Sequence, residues 1–218
     1  MESADRMLRE RKNWLDVEAY VSEQQSFHHV YDDVIRRTVK HLDGRSRVLE
    51  MGSGTGIVTL GVAPHVNHIR AYDIAAPMVE FARARANDAG VTNVDIREGD
   101  VYQLPEADGS FDAVLCPYLL DIVERPAVVL REAYRLLRPD GALITVTDIF
   151  VGEHPLRRRA RLLKRTLRRL LQSRVVSARP SLEQLRGWHE TAGFRVNADD
   201  HWPVCQDYWN AFLYCQRK

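Results

Sequence analysis

Short apolar runs alternate along the chain with segments whose apolar positions recur every three to four residues. That alternation predicts strands and helices in turn, and so an α/β fold with a mostly parallel sheet covered on both faces. Strands are expected over Arg47–Met51, His68–Asp73, Val94–Glu98 and 111–116. The first helix, 55–63, is closed by Pro64, and the second spans 75–89. Pro77 falls in the first turn of the second helix, where a missing N–H costs nothing, and Gly90 stands where a C-cap takes a positive φ. A helix over 126–137 is ended by Arg138-Pro139-Asp140-Gly141, and a fifth strand follows over 142–150. A capped helix over 181–192, stopped by Gly193, precedes two late strands at 194–198 and 210–216, which makes seven strands.

Length and composition fit one substantial core: 218 residues, 45% apolar and 28% charged, with a net charge of +1. Cys116, Cys205 and Cys215 are too scattered for a disulfide framework or a metal-ligand spacing, so buried thiols in a reducing cytoplasm are expected and no metal. Residues 1–16 lack the apolar core of a signal peptide, and no run reaches the roughly 20 apolar residues that span a bilayer.

The first expected strand runs into Glu50-Met51-Gly52-Ser53-Gly54-Thr55-Gly56. Glycines there let the backbone turn sharply and let main-chain N–H groups approach a nucleotide-like ligand. A pyrophosphate-binding loop wants G-x-G-x-x-G, whereas here the third glycine comes one residue early and Ile57 takes its place. The spacing Glu50, Gly52, Gly54, Gly56 resembles motif I of the class I S-adenosylmethionine-dependent methyltransferases. Asp73-Ile74 at the end of the second strand resembles the station where that family's acidic residue accepts from the ribose hydroxyls. Glu98-Gly99-Asp100-Val101 is similar to its adenine-binding station. Residues 110–116 and 136–143 resemble its fourth-strand motif and the turn before its fifth strand.

The resemblance covers roughly 45–218 and implies a Rossmann-like domain there, preceded by an N-terminal helical lid over 1–44. It implies S-adenosyl-L-methionine as cofactor, with S-adenosyl-L-homocysteine as product, held by Glu50, Gly52, Ser53, Gly54, Gly56, Asp73, Ile74, Met78, Asp100, Val101, Cys116 and, from the lid, Tyr20. Other fates stand beside these assignments: helix capping for Asp73, a solvated turn for Asp100, core packing for the aromatics.

A sulfonium already carries a good leaving group, so the protein has to align an acceptor and, for some substrates, remove a proton. Ligands of open parallel sheets lie beyond the strand carboxyl ends, which makes Tyr118 and Asp121 candidates for acceptor chemistry, with His28 from the lid. His28 and His29 are adjacent on an expected helix, about 100° apart, which argues against a shared metal. Many small-molecule relatives carry histidine near Asp121, so a histidine base is not implied here.

The segment 153–174 holds nine Arg or Lys residues and one Glu, about +8, with Leu156, Ala160, Leu163, Leu167 and Leu170 in one apolar stripe. This basic amphipathic insertion after the fifth strand reads as a lid helix, as a peripheral membrane contact, or as a site for another anionic partner. Without an RNA-binding motif, nucleic acid is disfavoured. The resulting expectation is methyl transfer to oxygen, nitrogen or sulfur of a small molecule. The alternatives are a membrane-lipid methyltransferase and a non-catalytic cofactor-binding module.

Overall fold

A computed structural model describes residues 16–42, 47–149, 179–205 and 208–217. The basic segment 153–174 and residues 1–15 therefore lie outside the described residues. The described strands form one seven-stranded sheet in the order β3-β2-β1-β4-β5-β7-β6. They are β1 Arg47–Met51, β2 His68–Asp73, β3 Val94–Glu98, β4 Phe111–Pro117, β5 Leu137–Ile149, β6 Phe194–Cys205 and β7 Tyr208–Arg217. The first five run parallel, and β7 pairs antiparallel with both β5 and β6. Strands 1 to 3 grow toward one edge and strands 4 onward toward the other, so the order reverses between β1 and β4. A crevice opens at such a reversal, beyond the carboxyl ends of the strands.

The helices are α1 Val17–Ser26, α2 His28–Val39, α3 Ile57–Val62, α4 Ala76–Asp88, α5 Pro126–Leu136 and α6 Leu182–Thr191. Their apolar residues cover both faces. Val34 of α2 and Val58 and Val62 of α3 pack with Val48, Leu115, Ile144 and Val146 on one face. On the other, Val129, Leu130 and Ala133 of α5 and Leu185 of α6 pack with Leu49, Val114 and Leu143. Alternate residues of one strand thus serve opposite layers, as the period-two geometry of a strand requires.

The helices end where local chemistry says they should. Ser181 accepts from the Gln184 N–H while the Gln184 side chain accepts from the Ser181 N–H, a reciprocal box that opens α6. Pro77 and Pro126 sit in the first turns of α4 and α5. Three details differ from the sequence expectation. Pro64 ends α3 but enters a 3₁₀ turn over Ala63–His65, because proline is compatible with a first turn of either kind. The stretch 138–141 is a bulge inside β5 rather than a free turn: pairing with β4 steps from Phe111↔Leu137 to Ala113↔Ala142. Finally β6 runs to Cys205, well beyond 194–198, since it pairs along most of its length with β7, while β7 itself exceeds 210–216 only slightly.

Candidate active site

The chain leaving β1 is bent back by two hydrogen bonds, from the N–H groups of Gly52 (2.8 Å) and Ser53 (3.0 Å) to the Tyr72 carbonyl of β2. Gly52, Gly54 and Gly56 take φ of 79°, 51° and 75°, the left-handed region that L side chains resist. A Cβ on Gly52 would come within 2.8 Å of the Leu119 side chain, and one on Gly54 would point at the Tyr20 ring 3.7 Å away. Both glycines face a cleft at the β1/β4 reversal, enclosing about 860 Å³ of space that opens to solvent.

Asp73 at the end of β2 buttresses the loop. One carboxylate oxygen accepts from the Gly54 N–H at 2.8 Å and the other from the Ala75 N–H at 2.9 Å. Burial pushes this carboxyl up, against the downward pull of the Ala75, Gly54 and Ile74 N–H groups. A carboxylate has about four lone-pair sites, three of which these N–H groups take, and Asp73 lines the cleft. Glu50 lies behind the loop, fully buried, and accepts from the Thr59 hydroxyl. Burial raises its carboxyl to about 8, and the neighbouring Asp73 charge adds to the rise.

The roof of the cleft comes from the N-terminal helices. The Thr55 hydroxyl, just past the glycines, donates to Gln24 Oε1 of α1, and the Gln24 side chain also hydrogen-bonds the Tyr20 hydroxyl, which in turn bonds Tyr31 of α2. Burial holds the Tyr20 phenol well above its ordinary range, so it stays neutral. Opposite, Pro117 and Tyr118 leave β4. Tyr118 takes a φ of 53°, donates its N–H to the Val146 carbonyl at 2.7 Å, and meets the Tyr31 ring edge-on at 5.6 Å. Its phenol is also kept protonated, by burial first and then by the nearby Tyr31, Asp148 and Asp121.

Of the residues expected from sequence, the cleft brings together Tyr20, Glu50, Gly52, Ser53, Gly54, Asp73, Ile74, Met78, Val101 and Tyr118. Five others do not line it. Gly56 faces α4, where a Cβ would meet that of Ala82 at 3.0 Å, so this glycine serves helix packing. Asp100 turns its carboxylate onto the Tyr102 N–H two residues on, closing its own turn, while Val101 reaches the cleft. Cys116 points into the core, its sulfur 3.9 Å from that of Met51, and burial raises its thiol far above the ordinary value. Asp121 is buried to one side. In the tight turn after Tyr118 the Ile122 and Val123 N–H groups both return to the Leu119 carbonyl, so residues 119, 122 and 123 share the face that meets the cleft. His28 is exposed on α2, with Nδ1 3.1 Å from the Gln25 carbonyl. Among the described residues no group of His, Cys, Asp and Glu is arranged to hold a metal ion.

Sequence reading missed Gln24, Ile57, Val58, Ile122 and Val123, and singled out Tyr20 rather than Tyr31 among the aromatics of the N-terminal region. Apolar lining residues carry no chemical signature. Gln24 had one faint signal, a polar residue on the helix that also bears Tyr20, one turn further on.

A Rossmann-like sheet with a glycine loop, an acidic residue at the end of β2 and a cleft at the strand reversal defines the class of nucleotide-cofactor-binding α/β proteins. The relatives narrow this further. Residues 49–145 match the family described as methyltransferase domain. The chain is 35% identical over 109 residues to the uncharacterized methyltransferase YcgJ of Bacillus subtilis, half of this chain and 43% of that protein. It is 29% identical over 184 residues to a phosphatidylethanolamine N-methyltransferase of Cereibacter sphaeroides, 83% of this chain and 82% of that one. The YcgJ crystal structure superposes with a TM-score of 0.69 at 20% identity, over 88% of this chain and 99% of that one. The [4+2]-cyclase SpnF superposes at 0.72 and 22%, over 89% and 82%. The match to YcgJ spans less than half the length of that relative. Over residues 49–145 the chain is thus similar to the methyltransferase-domain family, and it shares the fold of the YcgJ structure.

Proposed function

We propose that the protein transfers a methyl group from S-adenosyl-L-methionine to a small-molecule acceptor. The observation that carries this reading is the pairing of Gly54 with Asp73: a backbone free of side chain beside a carboxylate with unfilled acceptor capacity, both on the cleft. These fit a nucleoside. Asp73 would accept from the ribose hydroxyls, whose donation would relieve the desolvation that now raises its carboxyl. Ile74, Met78 and Val101 offer apolar walls for a base, and the buried Ser53 hydroxyl, without a hydrogen-bond partner among the described residues, offers a further contact. When bound, the cofactor supplies an electrophilic methyl carbon and a neutral thioether leaving group. The chain's own work is then alignment and exclusion of water, by Tyr20 and Tyr31 above and Tyr118 at the far wall. Tyr118, held as a neutral phenol, acts as a hydrogen-bonding group rather than a base.

A second reading makes the acceptor an amine-bearing lipid headgroup, with 153–174 as a peripheral membrane contact. It is favoured by the phosphatidylethanolamine N-methyltransferase relative, which matches over most of both chains. Transfer of labelled methyl to phosphatidylethanolamine in mixed micelles, beside a panel of phenols, thiols and amines, tests both readings. Label in the lipid phase supports the second; label only in a soluble acceptor supports the first alone. Failure to bind S-adenosyl-L-homocysteine by calorimetry sinks both.

A further inference from the structure

Asn210 of β7 is an odd residue for its place. It is fully buried, with the apolar pair Phe212 and Val146 two residues along the sheet and Asp148 of β5 directly across from it. Its amide nitrogen lies 2.9 Å from the Tyr118 hydroxyl, yet its Oδ1 has no hydrogen-bond partner among the described residues. An orphaned buried acceptor is costly, and in a native fold it asks for a reason. As placed, the amide donates to the phenol oxygen. Its partner is strained as well, since a bulky residue in the left-handed region persists only where its surroundings hold it.

We propose that Asn210 is a positioning residue for methyl transfer: it pins the Tyr118 oxygen so that the phenol turns its O–H toward a lone-pair-bearing polar group of the acceptor. The proposal rests on the methyltransferase reading above and extends it to the acceptor end of the cleft. With its oxygen already accepting from Asn210, the phenol has its proton left to offer, and burial keeps that proton in place. The acceptor is therefore selected for a group that receives a hydrogen bond at this wall. The edge-on contact with Tyr31 and the backbone bond to Val146 fix the ring; Asn210 fixes the hydroxyl. The charged and titratable groups facing Tyr118 are Tyr31 from α2, Asp121 from the turn after β4 and Asp148 from β5. Asp148 is paired across the sheet with Asn210 itself and lies 3.6 Å from Arg179.

The test uses the full chain with Asn210→Leu, Asn210→Asp, Tyr118→Phe and the Leu/Phe double variant. Calorimetry with S-adenosyl-L-homocysteine checks the fold and the cofactor site, and is expected to be unchanged in all four. Carbon-13 resonances of ring-labelled tyrosine, with Tyr118 assigned by its loss in Tyr118→Phe, read the phenol directly. Asn210→Leu is expected to move that resonance. With phosphatidylethanolamine in mixed micelles, Asn210→Leu should lower kcat or raise the acceptor KM by about tenfold or more, the scale of a misplaced aligning group. The double variant should be no worse than Tyr118→Phe, because Asn210 acts only through that ring. Asn210→Asp should be rescued at low pH, where a protonated carboxyl can still donate to the phenol, and should lose activity as that carboxyl ionises. Additive losses in the double variant, or wild-type turnover in Asn210→Leu, overturn the proposal. If this lipid proves inert while cofactor binding is intact, the lipid reading fails by itself. The Tyr118 resonance then decides, and an unmoved resonance in Asn210→Leu overturns the positioning role.

Discussion

At the scale of single residues, the cleft depends on positions where a side chain is forbidden and positions where a charge is left incompletely satisfied. Gly54 sits at φ 51° with the Tyr20 ring in front of it, so a branched side chain there meets both backbone strain and the roof. Gly54→Val and Asp73→Ala are each expected to weaken S-adenosyl-L-homocysteine binding roughly ten- to hundredfold, as the loss of a hydrogen bond to a charged group implies. Calorimetry measures this, and unchanged affinity in both variants removes the cofactor assignment. Their legibility differed from that of their neighbours. Glycine spacing and an acid at a strand end are visible in a sequence because few other residues can do those jobs. Asp121 looked equally promising by position, yet a tight turn put Leu119 and Ile122 on the cleft instead. Rotation about a turn is decided by packing, which one-dimensional spacing does not encode.

At the scale of elements, α1 is tied to the glycine loop by buried polar groups: Thr55 to Gln24, Gln24 to Tyr20 and Tyr20 to Tyr31. The helix itself is weakly amphipathic, and its contacts with the body of the domain include this chain of hydrogen bonds. Gln24→Ala is expected to leave the buried Thr55 hydroxyl without this acceptor and to loosen the roof. Hydrogen exchange should then quicken across Val17–Ser26, with little change in α4 or α5. Uniform exchange in variant and wild type would show that α1 is held by its apolar contacts alone. Element boundaries were most readable where capping chemistry marks them, as at Ser181, Pro126 and Gly90. They were least readable in β6, whose sequence Asn197-Ala198-Asp199-Asp200-His201 lacks the apolar alternation of a half-buried strand. Its strand state comes from hydrogen bonding to β7.

At the scale of the whole molecule, two buried groups give stability opposing pH dependences. His189 of α6 sits fully buried between Thr145 Oγ1 (3.1 Å) and the Leu185 carbonyl (2.7 Å), and burial lowers it from 6.5 to about 4. The unfolded chain binds this proton more readily, so stability falls as pH drops from 6.5 toward 4. Glu50 is the reverse. Its folded value of about 8 lies above the ordinary 4.5, so the unfolded chain ionises first and stability falls as pH rises from 4.5 to 8. Between 4.5 and 6.5 the two slopes oppose; above 6.5 the Glu50 slope stands alone. Glu50→Gln, which keeps an acceptor for Thr59, is expected to abolish the decline in urea-unfolding stability between pH 6.5 and 8. The same decline in the variant would place its cause elsewhere.

Membrane docking is also a property of the whole, since the basic segment and the cleft would have to act together. If the lipid reading holds, the wild type is expected to sediment with anionic vesicles at low salt. Changing Arg157, Arg161, Arg165 and Arg168 together to glutamine should then weaken binding roughly several hundred-fold, at about 1 kcal/mol per basic side chain near such a surface. No sedimentation of the wild type removes that reading and leaves 153–174 as a lid segment or a site for another anionic partner; for the lid, Leu163→Asp rather than the arginine changes should impair activity.

The sequence by itself determined the alternation of elements, the glycine loop and the acid that follows β2, because backbone sterics, strand period and capping act locally and leave residue types behind. Only the tertiary structure decided which side chains meet. Tyr118 and Asn210, 92 positions apart, are joined because β7 returns antiparallel to β5 and lays Asn210 beside Asp148. Tyr20 and Gln24 reach Thr55 because α1 folds back over the loop. Those partnerships depend on sheet order and helix docking, which are set by the sum of many weak burial terms and are written at no single position.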